Sequence, residues 1–187
     1  MTHTAQYLLE VQEIAKLLPE VQIESLVAEL KALRDRGGRL FLVGLGGSAA
    51  NCSHAVNDFR KLCGIDAYTP VDNIAELTAR ANDDGWEKIF AGIAFTSKDA
   101  LFVLSVGGGT DAVSVPLWYC LAKAAGLCRI FGIVGRDGGQ TAKYGNIVVV
   151  IPTVNPNHVT PHTEAFQMVL LHLLVSHPSL QLRPTKW

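Results

Sequence analysis

RLFLVGLGGSAANCSHAVNDFRKLC, residues 39–63, decides the fold. Its first five residues are an apolar run of strand length. Glycines at 44, 46 and 47 turn the chain. From Ser48 a helical stretch continues to about Cys63. A strand that turns through glycines into a helix is the opening of a βαβ unit. The same order recurs downstream. Ala67–Val71, Ala100–Ser105, Arg129–Val134 and Ile147–Ile151 read as further strands, and Gly85–Phe95, Asp111–Ala125 and about 162–176 as helices. The stretch before Ala81 is polar and weakly helical, and a short helix follows the glycines at 138 and 139. Continuous apolar strands alternating with helices predict an α/β fold: a three-layer αβα sandwich on a five-stranded parallel sheet, covered on both faces. Upstream, Leu8, Leu9, Ile14, Leu17, Leu18, Val21, Leu26, Leu30 and Leu33 predict one long amphipathic helix over 5–35. Pro19 is placed to break or kink it, and Gly37–Gly38 stop it. The chain reads as one domain, 1–187. Its parts are an N-terminal oligomerisation helix (1–36), an α/β core (37–177) and a tail with two prolines (178–187).

Composition narrows the function classes. The 187 residues are 49% hydrophobic and 18% charged, which excludes intrinsic disorder. Sixteen basic against 17 acidic residues leave a net charge of −1, without the basic excess of a nucleic-acid or acidic-membrane binder. The longest apolar runs, 100–106 and 147–152, fall far below the roughly 18–20 residues of a membrane helix. The N-terminal residues lack the basic start and apolar core of a signal peptide. Cys52, Cys63, Cys120 and Cys128 form no CxxC pair, so they read as reduced, mostly buried thiols. A cytoplasmic protein is expected.

Three glycine-rich turns follow strands: GLGGSAA (44–50), SVGGGTDA (105–112) and GRDGGQTA (135–142). Ligands of doubly wound sheets sit at the carboxyl ends of strands. Each turn offers backbone N–H groups at a helix N-terminus, where an anion is favoured. Ser105 and Thr110 add hydroxyls to the middle one. Any one such loop could merely turn the chain tightly. Three in register favour an anionic ligand, read here as a phosphate. A nucleotide cofactor is not expected, because GLGGS is not GxGxxG and no acid other than the nearby Asp72 ends the second strand. No GK[ST] exists for a P-loop.

His54 and Asp58 lie four apart and share a helix face. The last helix carries Glu164 and His172. Two imidazoles and two carboxylates suit zinc or acid/base work. Glu164 and His172 are separated by roughly 12 Å along a regular helix, so a single metal needs either a bend before Glu164 or residues from two subunits. His172, within VLLHLLV, could equally be a buried, hydrogen-bonded core histidine. His158, His162 and His177 read as surface residues. The long N-terminal helix and the apolar last helix exceed what one small sheet needs as cover, which predicts a homo-oligomer.

The ordered set of motifs resembles the phosphoheptose isomerases, sugar-isomerase (SIS) domain proteins. GLGGSAANCSHAVND (44–58) is similar to their GNGGSAADAQHFAAE, and ANDDGWEKIF (81–90) to their GNDYGYEEVF. DALFVLSVGGGTDAV (99–113) lies where they carry DVLIGISTSGNSANV. GIVGRDGGQTAKY (132–144) matches LTGRDGGKLA, and TEAFQMVLLH (163–172) stands at IQEMHILIGH. The likeness covers roughly residues 5–176.

That resemblance implies a flavodoxin-like sheet, a homotetramer with active sites between subunits, and a zinc ion. It implies aldose–ketose isomerisation of sedoheptulose 7-phosphate to D-glycero-D-manno-heptose 7-phosphate through an enediol. The alternative is a SIS protein that binds or isomerises another phosphosugar, with a non-catalytic regulatory role included. Carried over by position, Gly46, Gly47, Ser48, Asn82, Asp83, Ser105, Gly107, Gly108, Gly109, Thr110 and Glu164 would bind substrate. His54, Asp58, Glu164 and His172 would hold metal, with Asp58 or Glu164 as base and His172 as its acid partner. Several positions depart from the family. Leu45 replaces an asparagine, Val106 and Gly107 replace Thr-Ser, Asp58 replaces the catalytic glutamate, and Glu164 replaces a glutamine. The shortened carboxylate at 58 and the new one at 164 suggest that the base has moved between them.

Overall fold

The computed structural model describes residues 1–110 and 112–184. β1 (Arg39–Val43), β2 (Asp66–Tyr68), β3 (Ala100–Ser105), β4 (Arg129–Val134) and β5 (Ile147–Val150) form one all-parallel sheet, ordered β2-β1-β3-β4-β5. Every residue of β3 is buried, as expected of a central strand covered on both faces. Leu40 pairs with Ala100 and Val43 with Val103 across β1 and β3, and Ser105 with Val134 across β3 and β4.

Alternate strand residues feed opposite faces. Leu40, Leu42, Phe102, Leu104, Phe131 and Ile133 join a core covered by α1 (His3–Leu17), α2 (Glu20–Asp35), α3 (Gly47–Cys63) and α7 (Val159–Ser176). Phe41, Val43, Leu101, Val103 and Ile130 face the other core, beneath α5 (Val115–Ala124) and the segment bearing Ile89, Phe90 and Ile93. At the amino end of the sheet, buried Asp99 accepts from Arg39 Nε (3.0 Å), Nη2 (2.7 Å) and backbone N–H (3.1 Å), and from the Thr96 backbone and hydroxyl. Burial by itself would raise the Asp99 pKa, but these donors bring it down to about 2.

Four expectations change. The helix over 5–35 is two helices: Leu18, at φ −60° and ψ 137°, is extended because Pro19 excludes the helical region for its predecessor. Gly85–Phe95 is not a helix but holds a single 3₁₀ turn, Trp86–Lys88. Gly85 (φ +95°) enters that turn, and the apolar residues at 89, 90 and 93 fill the core from turns. The firm helix there is α4 (Ile74–Asp83), where Asn73 accepts from the Glu76 N–H as its cap. The helix expected from Asp111 begins at Val115, after a 3₁₀ turn at Ala112–Ser114; Asp111 itself lies outside the described residues, as do tail residues 185–187. Strand β2 ends at Tyr68 and β5 at Val150, each short of the expected length, while α6 (Gly139–Tyr144) supplies the short helix. Among the described residues no helix is long and apolar enough to cross a membrane.

Candidate active site

The sheet order reverses between β1 and β3, so their carboxyl ends open a crevice. The loops after these strands carry Gly44–Gly47 and Val106–Thr110. Between them lies a recess of about 130 Å³, whose lining includes Leu45, Ser48, Ser105, Val106, Gly107 and Ser114. The first two glycine turns therefore meet in one site. The third joins it from beside β4, through contact with the second. Gly108 (φ +63°) lies so close to Gly138 that an added Cβ would stand 2.1 Å from the Gly138 carbonyl oxygen. The Gly108 carbonyl accepts from Thr141 N–H (2.9 Å) and from its hydroxyl (3.0 Å). Close backbone approach thus explains part of the glycine richness. The two loop hydroxyls also work internally: Ser105 Oγ accepts from Gly108 N–H (3.0 Å), and Thr110 donates to the Gly107 carbonyl (3.0 Å).

α3 and α7 run side by side. Near their starts, wholly buried Gln167 accepts at Oε1 from Ser48 Oγ (3.0 Å) and Asn51 Nδ2 (3.1 Å), and donates to the Ile133 carbonyl (3.3 Å). Asn51 also donates to the Glu164 carbonyl (2.9 Å). Glu164 packs its carboxylate against the first turn of α3; a Cβ on Gly47 would meet it at 2.5 Å. A negative charge there is favoured by the α3 dipole.

Farther along the same two helices, His54 Nε2 lies 3.1 Å from His172 Nε2 and 3.1 Å from Asp58 Oδ2. His172 Nε2 lies 3.9 Å from that oxygen. Both histidines are exposed, so the core-histidine reading of His172 does not hold. Ligand atoms of the three residues lie within 4.8 Å of one another, a set that fits a divalent metal. Glu164 stands outside this group. It lies within continuous helix α7, roughly 12 Å of rise from His172, so no bend brings the two together. Asn82 and Asp83 end α4, exposed, with the Asn82 amide donating to Asp83 Oδ1 (2.7 Å). They do not line the recess, but Trp86 just beyond them donates to the Val113 carbonyl at its rim (2.8 Å).

One cluster escaped the sequence reading. Buried Glu10 accepts at Oε2 from His158 Nδ1 (2.7 Å) and His162 Nε2 (2.8 Å), so His162 is a core residue and not a surface one. These three residues also form a donor set that could bind a metal ion. The His158–His162 spacing of four was the available signal; nothing local connected it to a glutamate nearly 150 positions earlier.

No family model matches the chain. It is 31% identical over 160 residues to a phosphoheptose isomerase of Geotalea daltonii, covering 82% of this chain and 80% of that one. A phosphoheptose isomerase of Syntrophotalea carbinolica is 33% identical over 160 residues, with 81% and 78% covered. The fold is shared with a phosphoheptose isomerase structure from Neisseria gonorrhoeae (TM-score 0.78, 22% identity, 92% and 94% covered). It is shared likewise with one from Francisella tularensis (TM-score 0.77, 20% identity, 94% and 97% covered).

Proposed function

The chain belongs to the phosphoheptose isomerase family, and from that premise we propose that it interconverts sedoheptulose 7-phosphate and D-glycero-D-manno-heptose 7-phosphate. The observation that carries the reading is the convergence of His54, Asp58 and His172 from α3 and α7, whose starts meet at the first glycine turn through Gly47 and Glu164. The relatives do not favour the non-catalytic alternative.

Isomerisation takes a proton from C1 of the ketose, passes through a C1=C2 enediol, and returns a proton to C2. We assign the phosphate to the recess lined by Ser48, Ser105 and Gly107, with Gly46, Gly47, Gly108, Gly109 and Thr110 in the turns beside it, where binding energy fixes the far end of the sugar. Asn82 and Asp83 face the sugar hydroxyls in this assignment. Glu164 is the base, because Asp58 is already committed to two histidines while the Glu164 carboxylate lies at the first loop with no ion-pair partner among the described residues. His172 holds the proton delivered to the carbonyl oxygen, and Asp58 and His54 orient it. The same three side chains would hold zinc, which when bound would supply positive charge to that oxygen in place of the His172 proton.

Glu164 and His172 of one chain are too far apart to serve one pair of carbons. A sugar that meets Glu164 therefore meets His172 of a second subunit, which calls for a homo-oligomer with sites between subunits; that it is a tetramer is what the family resemblance implies. Exposed Leu8, Leu9, Leu17 and Val21 on α1 and α2, and Val169 and Leu173 around His172 on α7, support this assembly. The test is an isomerase assay on sedoheptulose 7-phosphate with chelator-stripped protein titrated with zinc, alongside light scattering for the assembly. Turnover restored by zinc in a tetramer is expected. A folded oligomer without turnover at any zinc level would refute the heptose substrate.

A further inference from the structure

α1 is anchored in an unusual way. Of its fifteen residues only Glu10 and Ile14 are buried. One of the two is a carboxylate. Glu10 is 3% exposed, and among the described residues its ion-pair partners are His158 and His162, with no lysine or arginine. The His162 and His158 hydrogen bonds, with those of Asn155 and Gln6, hold its carboxyl well below the usual carboxylate range. It is therefore a buried anion without a permanent cation, and buried charges are paired or coordinate metals.

His162 turns Nε2 to this carboxylate, and its Nδ1 is buried without a hydrogen-bond partner. His158 Nδ1 is caught between opposite demands, with Glu10 Oε2 at 2.7 Å and the Asn155 amide nitrogen at 3.1 Å. If it donates to the carboxylate it faces a second donor; if it accepts from Asn155 its lone pair faces a carboxylate oxygen. A cation between the nitrogen and the oxygen removes that conflict. The other carboxylate oxygen is already oriented by the Asn155 (2.7 Å) and Gln6 (3.1 Å) amides, the outer-shell support typical of ligating carboxylates. Asn155 is itself fixed by accepting from Asn157 N–H (3.0 Å).

We propose that Glu10, His158 and His162 form a second divalent-metal site, separate from the His54 group, in which a zinc-class ion staples α1 to the start of α7. Two imidazoles and one carboxylate are a zinc donor set, with a fourth position left for water. Ligand atoms around a tetrahedral ion at about 2.0–2.1 Å stand roughly 3.3 Å apart, so the present contacts part by about half an ångström on binding. The site lies two residues before Glu164, so the staple also fixes the helix that carries it.

The test counts zinc per chain after chelation and dialysis back against zinc, followed by hydrogen exchange of α1. A His54→Ala/His172→Ala protein, which lacks the other site, is expected to keep one zinc per chain and to show α1 amides that exchange at least tenfold more slowly with zinc than without. Adding Glu10→Gln, or His158→Gln at the more exposed ligand, should abolish both effects. A His54→Ala/His172→Ala protein that retains no zinc would overturn the proposal. So would zinc that survives both added substitutions. Neither result depends on turnover, so a failed isomerase assay leaves this test intact.

Discussion

Replacing Gly108 by alanine probes the contact that joins the second and third glycine loops. Gly108 sits at φ +63°, which costs a side-chain-bearing residue about 1–2 kcal/mol. The added Cβ would lie 2.1 Å from the Gly138 carbonyl oxygen and 2.4 Å from its carbon, so the loops must part by about an ångström. Parting them sacrifices the Thr141 N–H and hydroxyl bonds to the Gly108 carbonyl, at about 1 kcal/mol each. The total is about 3–4 kcal/mol. Gly126→Ala is the control. It has φ +76° but nothing within 4 Å of the new Cβ, so it bears only the conformational cost of about 1–2 kcal/mol. Urea denaturation of both variants at matched concentration measures the difference, which thermal melting should show as roughly 2–4 °C per kcal/mol. The KM for sedoheptulose 7-phosphate should rise at least tenfold in Gly108→Ala and stay unchanged in Gly126→Ala. Equal destabilisation by the two substitutions would refute the loop-on-loop argument.

Gln167→Leu strips Ser48 and Asn51 of their shared acceptor and the Ile133 carbonyl of a donor; a loss of about 2–4 kcal/mol is expected by urea denaturation, and a loss below 1 would contradict it. Glu164→Gln should cut kcat by at least a hundredfold while leaving zinc retention at the His54 group unchanged. Asp58→Asn should instead weaken zinc retention at the His54 group, and the reverse pattern would exchange the two roles. Asp99 has its folded pKa depressed from 3.8 to about 2, so its contribution to stability is present above pH 3.8 and is lost as pH falls through about 2. That contribution is on the order of 2 kcal/mol, and Asp99→Asn should flatten the acid limb of the stability curve over that window.

Strand identities, their parallel pairing and the glycine turns at their carboxyl ends were legible in the residues themselves. A five-residue apolar run followed by glycines has few other ways to fold, and a period of two or 3.6 is written locally. The break at Pro19 was legible for the same reason, since a proline restricts its own neighbour. The segment 85–95 was misread because apolar residues at 89, 90 and 93 suit a helix face as well as turns plugging a core. Periodicity reports which side chains are buried, and it does not say what backbone buries them.

Local sequence, with the family's motif order, therefore determined the α/β class, the glycine turns at the strand ends and the chemical groups on offer. Tertiary structure alone decided which groups meet. His54 and His172 are 118 positions apart, and only the side-by-side packing of α3 and α7 sets their nitrogens 3.1 Å apart. The same continuous α7 keeps Glu164 away from them and against Gly47. Glu10 meets His158 and His162 only because α1 folds back over the start of α7. Such contacts depend on the relative placement of whole elements, and that placement follows from burying both faces of the sheet at once, which no single segment encodes.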